Sequence, residues 1–312
     1  IILGAIMTVV GNIVLVERKV AGWIQDRVGP NRAGPWGLLQ PLADGIKFIF
    51  KEDVIPAMAY KPLYILAPVL SLTTALTTFA VIPFADRFVI LGREVAPIIG
   101  DLDVGLLWIF AVASLGVYGI VLAGWASNNK YSLIGGLRSS AQMISYELSM
   151  TLSVVGVLMA AGSLRLADIV TAQAGSVWNV IGQPIGFLVF ITSAFAETNR
   201  LPFDLPEAEP ELVAGYHTEY SGMQFLMFYM AEYANVILSS CMMVLLFFGG
   251  WHLPIVEGML AQVSPGVAGL VHFGIFAAKL SCFLFLFIWI RWTLPRFRYD
   301  QLMSLGWKVM LP

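Results

Sequence analysis

Cysteine and charge are both scarce in this 312-residue sequence. The two cysteines, Cys241 and Cys282, lie in separate apolar segments, whereas disulfide frameworks, zinc sites and iron–sulfur clusters need closely spaced sets. Charged residues make up 12% of the chain, against about 25% in an average soluble domain, and the net charge is -2. We therefore expect no redox centre on this chain and no basic surface for nucleic acid.

Motifs for soluble cofactor chemistry are also missing. The sequence has no Gly-x-Gly-x-x-Gly after a strand, no Gly-x-x-x-x-Gly-Lys-Ser/Thr and no His-Glu-x-x-His, which argues against nicotinamide, ATP and zinc-hydrolase sites. The three histidines, His217, His252 and His272, lie in separate regions and are interpreted as individually hydrogen-bonded, so no metal site is predicted. No internal repeat supports the inverted-repeat architecture of many transporters.

Apolar segments dominate instead, since 58% of the residues are hydrophobic. Uninterrupted runs of this kind predict membrane-spanning helices rather than barrel strands, which alternate. The predicted class is an all-α polytopic bundle forming a single membrane domain over 1–312. The predicted spans are residues 1–16, 62–82, 104–126, 140–161, 177–196, 222–249 and 269–290.

The distribution of basic residues predicts the orientation. Fourteen of the 18 Lys and Arg residues fall in the segments after spans one, three, five and seven, and three fall on the other side. The side rich in basic residues is expected to be cytoplasmic, which places the N-terminus outside. The sequence is expected to begin within a trimmed first span rather than a signal peptide, and to lack an eighth span at its C-terminus.

A short amphipathic segment, residues 38–52, lies between the first two spans. Six apolar residues recur there at helical spacing, with charged residues Asp44, Lys47 and Lys51 on the other side. The pattern predicts a helix lying in the membrane surface. The favoured interpretation is a structural helix anchored at the membrane interface by its lysines, and the alternative is a helix that contacts substrate.

The most unusual segment is an acidic loop at residues 197–221. Pro202, Pro206 and Pro210 recur every fourth position, which forbids a regular helix and stiffens the chain. Crowded carboxylates raise one another's pKa values, so the loop is a candidate proton relay or charge sensor. A solvated acidic loop, or a docking surface for a basic partner, fits the composition equally well. Its carboxylates are Glu197, Asp204, Glu207, Glu209, Glu211 and Glu219.

Three ionisable residues fall inside predicted spans. They are Glu147 in the fourth, Glu232 in the sixth and Lys279 in the seventh. A charge at that depth costs at least ~2.5 kcal/mol, so such residues face a bundle interior or water and mark a functional route more often than a structural pair. A Glu232–Lys279 pair is one arrangement considered.

A loop rich in Gly and Pro follows the first span, at residues 25–37. It predicts a tight non-helical turn that displays Arg27 and Arg32, ready for carboxylates or a neighbouring protein. A purely structural turn that obeys the positive-inside rule is the alternative.

Several motifs, in order along the whole chain, closely resemble one membrane-subunit family of bacterial NADH-quinone oxidoreductase, respiratory complex I. The resemblance rests on Gly29-Pro-Asn-Arg-Ala-Gly-Pro35, Leu39-Gln-Pro-Leu-Ala-Asp-Gly-Ile-Lys47, Lys51-Glu-Asp53, Ser145-Tyr-Glu147, Ala196-Glu-Thr-Asn-Arg-Leu-Pro-Phe-Asp204 and Ala231-Glu-Tyr233.

The resemblance implies a membrane subunit between a peripheral redox arm and a proton-pumping membrane arm, in the bacterial inner membrane. It implies a chamber that admits ubiquinone or menaquinone as substrate, with FMN and iron–sulfur clusters on partner subunits only. The proton relay would comprise Glu147, Glu197, Glu207, Glu209, Glu211, Glu219 and Glu232, with Lys279 a weaker candidate. The chamber and its entrance would be formed by Arg18, Arg27, Arg32, Asp44, Lys47, Arg200, Phe203 and Asp204.

Two features depart from the family pattern, and two other functions were considered. The family has eight spans, and some relatives carry an acid in the third, where residues 104–126 have none. One alternative is the related membrane anchor of an energy-converting hydrogenase, which binds no quinone. The other is a stand-alone ion transporter, supported only by the intramembrane carboxylates. The arginine-proline loop and the acidic loop favour the quinone enzyme.

Overall fold

Helices account for nearly all the secondary structure in the computed structural model, which describes residues 2–86, 88–90, 93–174, 177–206, 212–260 and 264–312. The helices of these residues are α1 (Ile2–Ile24), α2 (Gln40–Phe50), α3 (Lys61–Thr78), α4 (Gly105–Ala126), α5 (Lys130–Ala161), α6 (Leu166–Ala174), α7 (Asn179–Gly182), α8 (Pro184–Glu197), α9 (Gly222–Phe247), α10 (Pro254–Leu260), α11 (Pro265–Thr293) and α12 (Tyr299–Leu305). The prediction of an all-α membrane bundle is confirmed.

Among the described residues, five segments are long and apolar enough to cross a bilayer: Lys61–Val81, α4, α5, α9 and Gly266–Thr293 of α11. They coincide with five of the seven predicted spans. Helix α3 packs on α4, α4 on α5, and α5 on α8. Helix α9 contacts α1, α3 and α11. Helix α9 lies at the centre of the bundle, since 83% of its apolar window is buried, against 17% for α11.

At the other two predicted spans, the observed helices differ from the prediction. Helix α1 continues eight residues beyond the predicted end, through Glu17, Arg18 and Lys19, so it combines an apolar part with charged turns. The run 177–196 is divided at Gln183, because Pro184 has no N–H to continue α7 and begins α8 instead. With 14 residues, α8 is about 21 Å long, shorter than the roughly 30 Å hydrocarbon core.

The boundary of the fourth span was also predicted wrongly. Helix α5 begins at Lys130 rather than at residue 140, because the Asn129 side chain accepts a hydrogen bond from the Tyr131 N–H and caps the helix there. Its 32 residues span about 48 Å and end at Gly162, whose φ of 68° suits glycine. The additional turns carry Lys130 and Arg138 beyond the apolar part.

Three local features were absent from the sequence interpretation. Strands β1 (Phe88–Ile90) and β2 (Arg93–Val95) form a short antiparallel hairpin in the register Phe88–Val95, Val89–Glu94 and Ile90–Arg93. The described parts of the acidic loop contain a cis Leu201–Pro202 bond and a 3₁₀ turn at Gly215–His217.

Helix α2 lies where the amphipathic segment was predicted. None of its residues is buried, and Leu42 is 62% exposed and Phe50 84%, while the Phe48 ring lies 6.3 Å from that of Phe225 on α9. Its position in a membrane surface stays a prediction.

Candidate functional site

Arg200 occupies the centre of a buried ionic network at the end of the bundle where α1 and α11 finish and α9 begins. Its side chain is 8% exposed and lies between two carboxylates. The distance from Nη1 to Oε2 of Glu17 is 3.9 Å, and that from Nη2 to Oε2 of Glu232 is 3.7 Å. The guanidinium thus links α1 to α9 through the loop that follows α8.

Two further side chains complete the network. The Tyr233 hydroxyl donates a 2.6 Å hydrogen bond to Oε2 of Glu17, and the Tyr233 ring lies 4.2 Å from the Arg200 guanidinium carbon. Arg291, from the last turns of α11, pairs with Oε1 of Glu17. Glu17 therefore accepts from a tyrosine and faces two arginines, as a buried carboxylate requires.

The charge of Arg200 is held by its neighbours. Burial acts to lower the pKa of the guanidinium, but Tyr233, Glu232 and Glu17 together outweigh it and raise that pKa above its usual value. Its Nε and Nη2 are buried and make no hydrogen bond with the described residues. The network therefore holds a permanent cation with unused donors.

Small cavities lined by charged residues of this network extend from it in both directions. On one side Asp204, which pairs with Arg296 at 3.0 Å, lines a cavity with Arg200, Glu232 and Arg291. On the other, Glu232 lines a second cavity together with Glu197. A third cavity contains Glu197 and Ser239. Because adjoining cavities share residues, the carboxylates form a series from the loop into the bundle.

Glu147 on α5 lines none of these three cavities but lies close enough to Glu197 on α8 to interact with its charge. It is partly buried. The structure thus brings together four of the sequence-predicted carboxylates: Asp204, Glu232, Glu197 and Glu147. Glu207, Glu209 and Glu211 lie outside the described residues.

Gln142 on α5 positions the loop that carries Arg200. Its buried amide donates 2.7 Å and 2.8 Å hydrogen bonds to the carbonyls of Ala196 and Phe203, on either side of Arg200. Phe203 itself is 4% exposed and packs between the rings of Tyr146 and Phe297. The structure places this predicted chamber residue in the core, where it anchors the loop.

Glu219 lies apart, near the adjoining ends of α3, α4 and α5. Its carboxylate accepts a 2.6 Å hydrogen bond from the Asn129 amide, and its carbonyl accepts one from the Tyr64 hydroxyl, also at 2.6 Å. The stacked rings of Tyr64 and Tyr220, 4.2 Å apart, fix this end of the acidic loop.

The predicted entrance residues are largely exposed. Arg18 pairs with Asp44 of α2 at 2.7 Å, which ties α2 to α1. Arg27 donates to the Gln25 side chain, while Arg32 and Lys47 are exposed. The structure places them on one side of the bundle end without joining them to the Arg200 network.

The Glu232–Lys279 pairing considered from the sequence is wrong. Lys279 donates to the carbonyls of Phe248, Gly250 and His252 at 2.7–2.9 Å. Phe248 follows Glu232 by 16 residues, about 24 Å along a helix, so Lys279 lies far from Glu232, beyond the C-terminal end of α9. Lys279 serves instead to hold the chain beyond the end of α9.

Sequence reasoning missed three members of the network: Glu17, Tyr233 and Arg291. The predicted first and seventh spans end at residues 16 and 290, which leaves Glu17 and Arg291 just outside them. Helical geometry could have indicated Glu17: consecutive residues of a helix are rotated by about 100°, so Glu17 can face the bundle interior while Arg18 faces outward. Tyr233 was noticed only as the neighbour of Glu232.

Comparison with known proteins gives consistent matches over the whole chain. Residues 1–312 match the NADH dehydrogenase family. The chain is 53% identical to the H subunit of NADH-quinone oxidoreductase from Leptospira biflexa, over 98% of this chain and 88% of that one. It is 53% identical to subunit 8 of the same enzyme from Rhodothermus marinus, over 100% and 91%. With an H subunit of the enzyme from Cytophaga hutchinsonii the identity is 52%, over 95% and 86%. These names do not favour the hydrogenase alternative.

Proposed function

The chain belongs to the NADH dehydrogenase family, among the H subunits of NADH-quinone oxidoreductase, and on that premise we propose that it couples quinone reduction to proton translocation. It acts as a membrane subunit of a proton-translocating enzyme, a translocase, in a bacterial inner membrane, with its N-terminus periplasmic. Iron–sulfur clusters belong to partner subunits, because Cys241 and Cys282 are separate free cysteines and form no cluster ligand set. FMN is placed on partner subunits as well.

The observation that carries this proposal is the series of cavities from Asp204 through Arg200 and Glu232 to Glu197. Ubiquinone or menaquinone is the substrate, and it enters a chamber that this chain shares with the peripheral arm. The Arg200 nitrogens without partners among the described residues supply hydrogen-bond donors toward that chamber. Arg18, Asp44, Arg27, Arg32 and Lys47 border its entrance.

The coupling step is a change of charge at Glu232. Quinone reduction and its accompanying proton uptake alter the charge in the chamber. When Glu232 takes up a proton, Arg200 loses one of its two carboxylate partners and the network gains net positive charge. That charge favours release of a proton from the next carboxylates, Glu197 and Glu147, toward the membrane arm.

The proposal is tested with Glu232→Gln and Glu147→Gln in the intact enzyme. Both variants are expected to assemble, to keep NADH oxidation by a hydrophilic artificial acceptor, and to lose most quinone-linked NADH oxidation. The matched control is Asp103→Asn, an exposed acid near the start of α4. Wild-type quinone turnover in both assembled variants would contradict the proposed role of the carboxylates.

A further inference from the structure

Two histidines and a glutamate meet at the end of the bundle opposite Arg200. His252 follows α9, Glu257 lies in α10 and His272 in α11. Nδ1 of His252 lies 2.7 Å from Oε1 of Glu257, and Nε2 of His272 lies 3.6 Å from the same oxygen. The sequence interpretation of separate histidines is wrong for this pair, because the chain reverses between α9 and α11 and brings the two rings to 5.5 Å.

Nothing in the described contacts satisfies these imidazoles fully. His272 is 7% exposed, and its Nε2 is buried without a hydrogen-bond partner. His272 therefore directs an unpartnered lone pair or N–H at Glu257. Leaving such a group unsatisfied costs about 1–3 kcal/mol, so a native protein normally supplies it with a partner.

We propose that His252, Glu257 and His272 form a binding site for a divalent transition metal of the zinc type. One ligand atom from each residue lies within 4.8 Å of the others. Zinc bonds of about 2.0–2.2 Å place tetrahedral ligand atoms roughly 3.3 Å apart, close to the 3.6 Å between His272 and Glu257. Small side-chain rotations bring the three atoms to one ion.

The donor set selects the metal class. Two imidazoles and one carboxylate match zinc and its neighbours, whereas calcium and magnesium take oxygen ligands. The Glu257 side chain is 36% exposed, which gives the ion an entry path and leaves room for water as the fourth ligand.

Lys279 does not compete with the metal for Glu257 through hydrogen bonds. Its ammonium has three donors, and the carbonyls of Phe248, Gly250 and His252 accept from it. Lys279 thus holds the backbone at His252 to α11. The metal would add a second link, between the side chains of His252 and Glu257 and that of His272.

The test uses the intact enzyme in detergent, stripped with a chelator and dialysed to equilibrium against zinc. The wild type is expected to bind one more zinc per complex than His272→Gln or Glu257→Gln. His272→Cys, which supplies another zinc ligand, is expected to retain that ion. Asp103→Asn is the carboxylate control and is expected to bind as the wild type does.

Equal zinc in the wild type, His272→Gln and Glu257→Gln would overturn the proposal. Loss of zinc in His272→Cys to the level of His272→Gln would also overturn it, because the effect would then follow disruption rather than ligand loss. A second measurement needs no variant: zinc is expected to slow hydrogen–deuterium exchange at residues 252–257 of the wild type at least tenfold. Unchanged exchange there contradicts the proposal even if the variants fail to assemble.

Discussion

The Tyr233 hydroxyl donates a 2.6 Å hydrogen bond to the Glu17 carboxylate and thereby connects the first helix of the chain to α9. The two residues are 216 positions apart in sequence. The same tyrosine ring lies against Arg200, so one side chain contacts both charges of a buried pair. The bond orients Glu17 toward both arginines rather than leaving it free to rotate.

Replacing Tyr233 with Phe is expected to weaken this network without removing its packing. The variant keeps the ring over Arg200 and loses one hydrogen bond to a charged group, worth about 1.5–3 kcal/mol. We expect a lower thermal unfolding temperature of the purified enzyme and reduced NADH:quinone turnover. Tyr118→Phe is the matched control, since Tyr118 is 62% exposed on α4. Equal melting of both variants would show that the bond does not stabilise the protein.

Arg200 and Arg18 allow a comparison of a buried with an exposed ion pair. Arg200→Gln leaves Glu17 and Glu232 facing each other without their shared cation, which we expect to cost about 3–5 kcal/mol. Arg18→Gln removes a pair whose arginine is 48% exposed, which should cost about 0–1 kcal/mol. The measurement is the amount of assembled enzyme in membranes and its melting temperature.

A second substitution distinguishes charge from shape in the same network. Adding Glu232→Gln to Arg200→Gln neutralises one of the two carboxylates that lose contact with Arg200, so assembly should partly recover relative to Arg200→Gln alone. No recovery would mean that Arg200 acts mainly through packing against Tyr233.

The sequence predicted the helical class and most of the spans because continuous apolar runs have few alternatives in a bilayer. It also singled out Glu232 and Glu147 as candidate site residues, because a carboxylate stands out within an apolar run, and their role stays a prediction. It could not reveal the partner of Glu232. Lys279 was the basic residue within a predicted span, but the loop after α8 places Arg200, not Lys279, beside Glu232. This pairing depends on how the loop folds back onto the bundle, and the spacing of residues in the sequence does not reveal that.

Helix interruptions were harder to predict than helices. The run 177–196 looks continuous by hydropathy, and only Pro184 indicates the division between α7 and α8. The cluster of His252, Glu257 and His272 depends likewise on a chain reversal between α9 and α11. Predicted site residues such as Arg32 and Lys47 are exposed, and their proposed role at an entrance remains a prediction.

Gln142→Leu is expected to release the loop that carries Arg200. The variant leaves the carbonyls of Ala196 and Phe203 without the donor they have now. We expect faster hydrogen–deuterium exchange at residues 199–206 and lower quinone turnover.

Gln173→Leu is the matched control for this substitution. The Gln173 amide donates to the carbonyl of Leu245, and its carbonyl accepts from the N–H of Gly249, near the other end of α9. Its replacement should increase exchange around residues 245–250 and leave 199–206 unchanged. If both variants affected both regions, a general loss of stability would replace the local explanation.

Gly135→Ala is expected to separate α5 from the 3₁₀ turn at Gly215–His217. A Cβ at position 135 would lie 2.6 Å from Cα of Gly215 and 2.8 Å from the Tyr216 nitrogen, both backbone atoms that cannot rotate away. Overpacking of this kind costs about 1–3 kcal/mol, so less assembled enzyme and a lower melting temperature should result.

Gly274→Ala is the matched control for Gly135→Ala. Gly274 also lies within a helix, α11, but a Cβ there meets nothing within 4 Å. We expect assembly and melting temperature at or slightly above the wild-type values, because alanine favours a helix more than glycine does. A similar loss in both variants would rule out the backbone contact as the cause.

The central position of α9 bears on how the chain is made. Helix α9 carries Glu232, and 83% of its apolar window is buried in the folded protein. Such a helix is poorly suited to lie alone in lipid during synthesis. Glu17 and Arg200 precede it in the chain, so the counter-charge for Glu232 leaves the ribosome before α9 does. Arg291 follows it, on α11, which is mostly unburied within this chain. The counter-charge of Glu232 is therefore already synthesised when α9 enters the membrane.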